Sequence, residues 1–422
     1  MINRYQTSFM NNIWSDKFKI SMWKSLQSFL VEEYENLNGI PNITSQQINN
    51  IDITQDEISE EEKKTNHELL AFLNVLNSKV NGEGKKYIHR GLTSSDLLDT
   101  AFSYQIRCSL SHIEEKINIL CFILKNKIEE YQNTLMLGRT HGMTAEPITF
   151  GSFLASYYAE WMRHAKTIDQ TIDYISYGKL SGPVGNYSIA NEQIEARVLN
   201  RFNLKPEIIG TQVIPRDRYA KVFLDLALFG SSIERFATNI RLLSQSAIGE
   251  VSENFGTLQQ GSSAMPHKKN PIASENLCGI SRLLKSYAIS ALDNVALWNE
   301  RDISHSSVER VIGPDAFHLI EYSLNKMINL VKYLNVNVKN MKQNMEDSNN
   351  IFYSHVLLNH LTEMSHDRDT AYRMIQTLSS DCLNKEIDLL DLIKEKTDYQ
   401  PDFNIFLEGN KKLITKVLNN VR

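Results

Sequence analysis

The sequence is poor in cysteine, and no two of its cysteines are spaced like a disulfide or metal-binding pair. The four cysteines are scattered along 422 residues, at Cys108, Cys121, Cys278 and Cys382. Small disulfide-bonded domains are dense in cysteine, and zinc sites commonly show closely spaced pairs of cysteines or histidines. We therefore expect reduced thiols that pack as small hydrophobic side chains in a reducing compartment, and we expect no metal site.

Long hydrophobic runs are also lacking. The N-terminal stretch MINRYQTSFMNNIW contains no continuous apolar segment of the kind that signal peptides carry. Later segments do not approach the run of about 20 apolar residues that crosses a membrane. We therefore expect a cytoplasmic protein without membrane contact.

Neither sign of charge dominates the chain. Lys and Arg number 45 against 50 Asp and Glu, which gives a formal net charge of −5. Nucleic-acid-binding domains usually carry a basic excess, so nucleic acid is not an expected partner. Neither the phosphate-binding pattern G-x-x-x-x-G-K-[ST] nor a dinucleotide-binding glycine fingerprint occurs, and we expect no cofactor.

Proline is scarce as well, with nine residues, and long segments lack both proline and glycine. Neither occurs between Gly91 and Gly138, and a second run follows Pro215 and a third extends from Pro271 towards Gly313. In the first run, apolar residues recur at helical steps at Ile113, Ile117, Leu120, Leu124, Ile128 and Tyr131. A helix of some 40 residues is about 60 Å long, which is typical of bundles that also pack across subunits.

The pattern predicts an all-α fold with three domains. A chain of this length exceeds the size at which one hydrophobic core keeps growing. The flanking segments carry shorter amphipathic pieces than the middle. We predict an N-terminal helical domain over residues 1–92, a central long-helix bundle over 93–345 and a C-terminal helical domain over 346–422.

The segment GSSAMPHKKNP, residues 261–271, interrupts the helical pattern with small and cationic residues. Asn270 and Pro271 are typical of a helix start, because Asn caps free backbone N–H groups and Pro suits the first helical position. The segment therefore lies beside a predicted helix N-terminus, a place that favours anions.

Each residue type in this segment has a chemical use. Gly261 supplies backbone freedom, Ser262 and Ser263 supply hydroxyl groups, and Lys268 and Lys269 supply positive charge. Composition alone favours a mobile surface connector whose lysines are solvated.

The complete motif resembles the signature G-S-S-x-M-P-x-K-x-N of the fumarase/aspartase superfamily. Four further stretches and one pair resemble the adenylosuccinate lyase family within it: Arg4-Tyr5, TNHELLAF from Thr65, HRGLTSSD from His89, GRTHGMTAEP from Gly138 and WNERDISHSSVER from Trp298. His267 differs from the Gln of argininosuccinate lyases and the Gly of fumarases. Carboxymuconate cycloisomerases share this His but usually lack the G-L-T-S-S-D form.

The resemblance implies a homotetrameric carbon–nitrogen lyase with a central helical bundle. It implies elimination of fumarate from adenylosuccinate to give AMP, and from succinylaminoimidazole carboxamide ribotide (SAICAR) to give AICAR. Such an elimination needs a base, an acid for the departing nitrogen and fixed donors for the carbanion. By resemblance, Ser262 is the base and His141 is the acid. Lys268 and Asn270 are the fixed donors, and Glu275 orients His141.

Alternative interpretations of these residues remain open from the sequence. Ser263 could be the base in place of Ser262. His141 could be a structural residue of its glycine-bracketed turn, and Glu275 could act only on the helix dipole. Thr65 and Glu68 could form a capping box ahead of an apolar helix.

The resemblance also implies a set of substrate contacts. Phosphate contacts are expected among Arg4, Tyr5, Ser306 and Arg310, and succinyl-carboxylate contacts among Thr93, Ser94, Thr140, Lys268 and Asn270. Further substrate contacts are expected at His67, Glu68, His89, Gln212 and Arg301. The chain departs from the family pattern at Asn66, where Arg is common, at Glu68, where Asp is usual, and at Thr144, where close relatives have His.

Three functions therefore remain in consideration. The first is the adenylosuccinate lyase reaction. The second is another superfamily lyase or a carboxymuconate-type cycloisomerase, which would not need the phosphate contacts. The third is a non-catalytic structural relative, against which the retained His141, Ser262, Lys268 and Glu275 argue.

Overall fold

The computed structural model describes residues 1–256, 259, 261–364, 367–394, 397 and 399–420. These residues form two compact units, each assembled from three stretches of chain. The first unit comprises Met1–Ile117, His164–Ser231 and Gly279–Asn325. The second comprises Asn118–Arg163, Ser232–Cys278 and Lys326–Arg422.

Helices dominate both units, so the prediction of an all-α fold is confirmed. The α-helices of the described residues are α1 (Ser8–Ile13), α2 (Asp16–Leu37), α3 (Ile43–Asn50), α4 (Gln55–Thr65), α5 (Glu68–Lys79), α6 (Ser94–Glu130), α7 (Phe150–Ile175), α8 (Glu192–Asn200), α9 (Arg216–Leu243), α10 (Ile272–Asp293), α11 (Ser304–Lys332), α12 (Val338–Glu346), α13 (Ser354–Glu363), α14 (Arg368–Lys385), α15 (Leu389–Lys394) and α16 (Asn404–Asn420). Three short 3-10 helices add Asn3–Tyr5, Glu83–Tyr87 and Ile351–Tyr353.

The strands are short and occur in pairs. They are β1 (Leu135–Thr140), β2 (Met143–Thr149), β3 (Tyr177–Gly178), β4 (Lys205–Pro206), β5 (Val251–Ser252) and β6 (Asn335–Val336). In the described chain, β1 pairs antiparallel with β2, β3 parallel with β4, and β5 antiparallel with β6.

The first long helical run forms α6, and the second forms α9, which ends at Leu243, before Ala247 that also fits the helical period. The third run is divided. Helix α10 ends at Asp293, and α11 begins at Ser304 instead of the run continuing unbroken towards Gly313. The Asp302 carboxylate accepts hydrogen bonds from the backbone N–H of Trp298 and of Ser304, both at 2.8 Å, and so starts a new helix. Pro314 lies inside α11 and does not end it.

The first unit has a core built on α2, α5 and α8. Trp23 and Phe72 are fully buried and meet edge to face, with ring centroids 5.5 Å apart. Burial of each large apolar side chain contributes about 1.5–3 kcal/mol. This core supports the loops before α6 and before α8.

The second unit has its own core in the C-terminal helices. Helix α14 buries Ala371, Ile375, Leu378 and Cys382, a spacing that places them on one face. Leu137 of β1 belongs to the same cluster of buried residues. The C-terminal helices therefore support the β1–β2 hairpin.

No helix in the described ranges is both long and apolar enough to cross a membrane. The three-domain division at residues 93 and 346 remains a prediction.

Candidate active site

A tight hairpin displays His141 in the second unit. Strands β1 and β2 are joined by His141 and Gly142, and Thr140 pairs with Met143 across the turn. Both turn residues have positive φ, 55° and 81°, as two-residue hairpins of this twist require. His141 is exposed, so its imidazole is available to a ligand. The predicted glycine-bracketed turn is confirmed.

A buried carboxylate supports this hairpin from behind. Arg139 donates two hydrogen bonds to Glu250, from Nη1 to Oε2 at 2.9 Å and from Nη2 to Oε1 at 2.7 Å. Glu250 is fully buried and also accepts a hydrogen bond from Asn344 Nδ2 at 2.8 Å. The sequence interpretation missed Glu250, because no local pattern indicates which distant carboxylate will meet Arg139.

The signature segment forms a loop that is closed at its base. Asn270 Nδ2 donates a hydrogen bond to the Gly261 carbonyl at 3.0 Å. A Cβ on Gly261 would lie 2.1 Å from the Lys268 carbonyl oxygen. Glycine is therefore needed here for close approach of two backbone segments, and not only for the flexibility that the sequence suggested.

The two serines of the loop have different surroundings. The Ser262 hydroxyl oxygen accepts hydrogen bonds from the backbone N–H of Ala264 at 3.3 Å and of Met265 at 3.1 Å. Ser263 is exposed. Hydrogen bonds donated to an oxygen favour its ionised form, so the two backbone donors would favour ionisation of the Ser262 hydroxyl.

The N-terminus of α10 is capped by a residue that the sequence did not indicate. Glu253 accepts hydrogen bonds from Ala273 N at 2.9 Å, Ser274 N at 2.8 Å and Ser274 Oγ at 2.7 Å. The expected cap by Asn270 is therefore wrong, since its amide group closes the loop instead. The Glu253 carboxylate therefore occupies the position at this helix N-terminus that favours an anion.

The remaining predicted residues of the second unit are accessible. Lys268 and Glu275 are exposed, as is Thr140 at the end of β1. His141 and Glu275 make no hydrogen bond with each other within the described part of a single chain. Thr144, one of the departures from the family pattern, lies on β2 opposite Arg139.

A cavity of about 330 Å³ lies within the first unit. Its lining includes four of the predicted substrate residues, Glu68, Arg301, Ser306 and Arg310, and the aromatic rings of Trp14 and Phe102. Cavities of this size and mixed lining are typical small-molecule sites.

Glu68 joins two cations at this cavity. Its carboxylate lies 2.6 Å from Lys19 Nζ and 3.3 Å from Arg310 Nη2. Burial lowers the pKa of Lys19, but the Glu68 carboxylate more than offsets this effect, so the pKa is raised. Lys19 was not predicted as a site residue.

The start of α5 differs from the predicted capping box. Thr65 ends α4, and Asn66 follows in the left-handed conformation, with φ 51°, that suits Asn better than Arg. His67 caps α5, because its Nδ1 accepts a hydrogen bond from Leu70 N at 3.3 Å. The capping-box interpretation of Thr65 and Glu68 is therefore wrong.

Arg301 is tied to Gln212 and to a buried histidine. Arg301 Nη1 donates to Gln212 Oε1 at 3.0 Å, and Arg301 Nε donates to His305 Nε2 at 3.4 Å. Burial lowers the pKa of Arg301. Two predicted substrate contacts that are 89 residues apart in sequence are thus brought together.

A buried charged cluster underlies this pair. Arg216 is almost fully buried and donates hydrogen bonds to both Asp99 oxygens, at 2.8 and 2.9 Å. Burial raises the pKa of Asp99, but the neighbouring Arg216 guanidinium outweighs this effect, so the pKa is lowered. His305 Nδ1 lies 3.0 Å from Glu309 Oε2 in the same cluster.

Other predicted contacts of the first unit lie in ordered segments. Thr93 and Ser94 lie where α6 begins, and burial lowers the pKa of His89, just upstream, to about 4. Arg4 and Tyr5 form part of the first 3-10 helix, and the Tyr5 ring meets Tyr322 edge to face at 5.1 Å. The predicted acid, base and loop cation belong to the second unit.

Comparisons with known proteins agree on one group of enzymes. Residues 22–283 match the family model described as "Lyase". The chain is 38% identical over 417 residues to the adenylosuccinate lyase of Thermotoga maritima, covering 99% of this chain and 94% of that protein. It is 41% identical to the adenylosuccinate lyase of Synechocystis sp., covering 92% of this chain and 90% of that protein. It is 39% identical to the adenylosuccinate lyase of Bacillus subtilis, covering 93% of this chain and 91% of that protein.

Solved structures share the fold at lower sequence identity. A fumarate lyase from Mesorhizobium sp. is 22% identical, with a TM-score of 0.86 and coverage of 100% of this chain and 99% of that one. The beta-carboxy-cis,cis-muconate cycloisomerase from Acinetobacter calcoaceticus is 20% identical, with a TM-score of 0.85 and 98% coverage of both chains.

Proposed function

The chain belongs to the adenylosuccinate lyase family, and on this basis we propose that it cleaves adenylosuccinate to AMP and fumarate. We extend the proposal to SAICAR, which would give AICAR and fumarate by the same elimination. The observation that carries the proposal is the Ser262 hydroxyl, which accepts two backbone N–H hydrogen bonds in a loop that also carries Lys268.

The elimination divides into two proton transfers. The ionised Ser262 oxygen removes a proton from the succinyl carbon next to a carboxylate, and the electron pair spreads into that carboxylate. Lys268 and Asn270 stabilise this carbanion. The C–N bond then breaks, its electrons remain on the nitrogen, and His141 supplies the proton that completes AMP. Glu275 orients His141.

The two backbone donors help the Ser262 hydroxyl to act as a base. A serine hydroxyl is a poor base unless it is ionised. The N–H groups of Ala264 and Met265 lower the free energy of the alkoxide, and the ammonium of Lys268 on the same loop adds to this effect. Among the described residues, no pair of backbone N–H groups donates to Ser263, which is exposed, and this difference favours Ser262 as the base.

The nucleotide half of the substrate would occupy the cavity of the first unit. Arg4, Tyr5, Ser306 and Arg310 would contact the phosphate, as expected from the family resemblance. Because Arg310 pairs with Glu68, phosphate binding would exchange that carboxylate for a phosphate oxygen. Lys19 would keep Glu68 paired after the exchange.

Polar groups would hold the succinyl half of the substrate. Thr93, Ser94, Thr140, Lys268 and Asn270 would contact its carboxylates. His67, Glu68, His89, Gln212 and Arg301 would complete the substrate contacts.

A homotetramer that shares its active sites between subunits is part of the proposal. Support comes from the exposed His141 and Glu275, and from exposed apolar side chains on α9 and α10. These side chains are Leu224, Leu228, Leu283, Ile289 and Leu292. Burial of such apolar surface between subunits stabilises an assembly.

A cytoplasmic location is also proposed. Its support is that all four cysteines are free thiols, as is usual in a reducing compartment.

The direct test is to mix the purified protein with adenylosuccinate and follow the loss of its ultraviolet absorbance, with AMP and fumarate identified by chromatography. SAICAR is tested in the same way. Argininosuccinate and a carboxymuconate serve as control substrates. Turnover of a control substrate without turnover of either purine substrate would contradict the proposal.

A further inference from the structure

A fully buried ion pair joins Asp96 of α6 to Lys179 in the first unit. The Asp96 side chain has an exposed fraction of 0% and that of Lys179 has 1%. Lys179 Nζ donates to Asp96 Oδ1 at 2.5 Å and to the Gly182 carbonyl at 2.9 Å. Asp96 Oδ2 accepts hydrogen bonds from Thr93 N at 2.7 Å and from Gly182 N at 3.2 Å.

Stability alone is a poor reason for such a pair. Desolvation of two charges offsets most of their attraction, and replacement of a buried pair by apolar residues is often neutral or stabilising. The role of the pair therefore lies in the geometry that it imposes on the surrounding residues.

Three loops meet at the pair: residues 89–94, residues 181–190 and residues 208–213. The first is held through Thr93 N and the second through both backbone groups of Gly182. The third packs on the stem of the lysine, because a Cβ on Gly210 would lie 3.0 Å from Lys179 Cδ and 3.3 Å from Cε.

The three loops also touch one another through their backbones. A Cβ on Gly182 would lie 2.9 Å from the Gly91 carbonyl oxygen, and one on Gly185 would lie 2.3 Å from the Gly210 carbonyl oxygen. Gln212 Nε2 donates to the Pro183 carbonyl at 3.1 Å. A shift of one loop therefore displaces the other two.

We propose that Asp96 and Lys179 are positioning residues that hold these three loops, and with them Thr93, Ser94 and Gln212, in register for the substrate. This inference rests on the proposed function, which assigns substrate contacts to those three residues. Neither Asp96 nor Lys179 touches the substrate, since both are buried beneath the loops.

The experiment compares the double variant Asp96→Asn/Lys179→Met with the wild type. Met keeps an unbranched stem of similar volume beneath Gly210 and removes the ammonium group. Asn keeps an oxygen that can accept from Thr93 N. The double change leaves no unpaired buried charge, so it keeps the test possible if either single variant fails to fold.

We expect the double variant to fold and its KM for adenylosuccinate to rise by at least about 10-fold, because the displaced Thr93, Ser94 and Gln212 lose contacts that hold the bound substrate. A merely structural role would lower the active fraction and leave KM unchanged. An unchanged KM in the folded double variant would overturn the proposal.

The matched control is Asp225→Asn/Lys221→Met. This ion pair lies in the same unit and has an N–O distance of 2.7 Å, and Lys221 is more exposed than Lys179. Removal of this pair should leave the KM for adenylosuccinate unchanged. A similar rise in the control would show that loss of any ion pair suffices and would refute a specific effect of Asp96 and Lys179.

Hydrogen exchange separates this inference from the proposed function. Amides of residues 89–94, 181–190 and 208–213 should exchange faster in the Asp96→Asn/Lys179→Met protein than in the wild type, whatever the substrate is. Wild-type protein that does not cleave adenylosuccinate would contradict the proposed function. Unchanged exchange in the three loops would contradict the positioning pair.

Discussion

Arg139 and Glu250 form a two-point ion pair, with Nη–Oε distances of 2.9 and 2.7 Å, two residues before His141. The planar guanidinium fixes the direction as well as the distance of the contact. The turn that displays His141 therefore starts from a strand residue whose side chain is anchored in the interior of the second unit.

Arg139→Lys tests this anchor. Lysine keeps the charge but cannot form two parallel hydrogen bonds, and loss of one hydrogen bond to a charged group costs about 1.5–3 kcal/mol. We expect a lower melting temperature and a fall in kcat of about 10-fold or more, because the His141 turn loses its fixed position. Arg235→Lys, at a more exposed pair with Glu160, is the control and should change kcat little. Normal kcat in Arg139→Lys would show that the anchor does not position the turn.

Ser262→Ala and Ser263→Ala distinguish the two candidate bases. Only Ser262 Oγ accepts the two backbone N–H groups described above, so its removal should abolish measurable turnover while adenylosuccinate still binds. Ser263→Ala should be much milder. Turnover is followed by absorbance and binding by calorimetry. The reverse order of the two effects would assign the base to Ser263.

His141→Gln removes the proposed proton donor and keeps a hydrogen-bonding side chain of similar reach. General acids typically contribute about 10²–10⁴-fold, so kcat should fall by that order while substrate affinity is largely kept. His355→Gln is the control, because His355 is an exposed histidine of the same unit paired with Glu146. If His141→Gln turns over substrate near the wild-type rate, the histidine serves only the turn.

His89 should make unfolding pH-dependent. Burial lowers its pKa from 6.5 to about 4, so the unfolded chain binds this proton more readily than the folded chain. The contribution of His89 to stability is therefore complete above about pH 7 and declines as pH falls from 6.5 towards 4. The loss should be about 2 kcal/mol at pH 5.0, since each pKa unit is worth about 1.4 kcal/mol.

The measurement compares denaturant unfolding of the wild type and His89→Asn at pH 7.5 and pH 5.0. Asn is the matched replacement, because residue 89 has a φ of 57° and Asn tolerates the left-handed conformation. The variant should lack this part of the pH dependence. An equal loss of stability in both proteins would assign the effect to other groups.

Assembly should control activity. If residues of several subunits form each site, dilution should lower specific activity in parallel with the sedimenting mass. Sedimentation velocity and activity are measured on the same dilution series. A fully active monomer would contradict the shared site.

Two wrong predictions of helix caps show the limits of inference from local sequence patterns. Asn270-Pro271 correctly predicted a helix start nearby, but the cap itself comes from Glu253, 17 residues before Asn270. Thr65 and Glu68 fit a capping box by spacing, yet α4 extends through Thr65 and His67 caps α5. A spacing pattern gives the groups that can form a cap, and competition among neighbouring groups decides which one does.

The sequence by itself determined the helical class, the long helices α6 and α9, the glycine turn at His141 and the family resemblance of the signature loop. These features depend on periodicity and on residues that are close in the chain. Tertiary structure alone decided that Glu250 anchors the hairpin, that Glu68 joins Lys19 to Arg310, and that Lys179 meets Asp96 across 83 residues. Such contacts form between residues far apart in sequence, where packing of whole elements, and not local preference, sets which charges become neighbours.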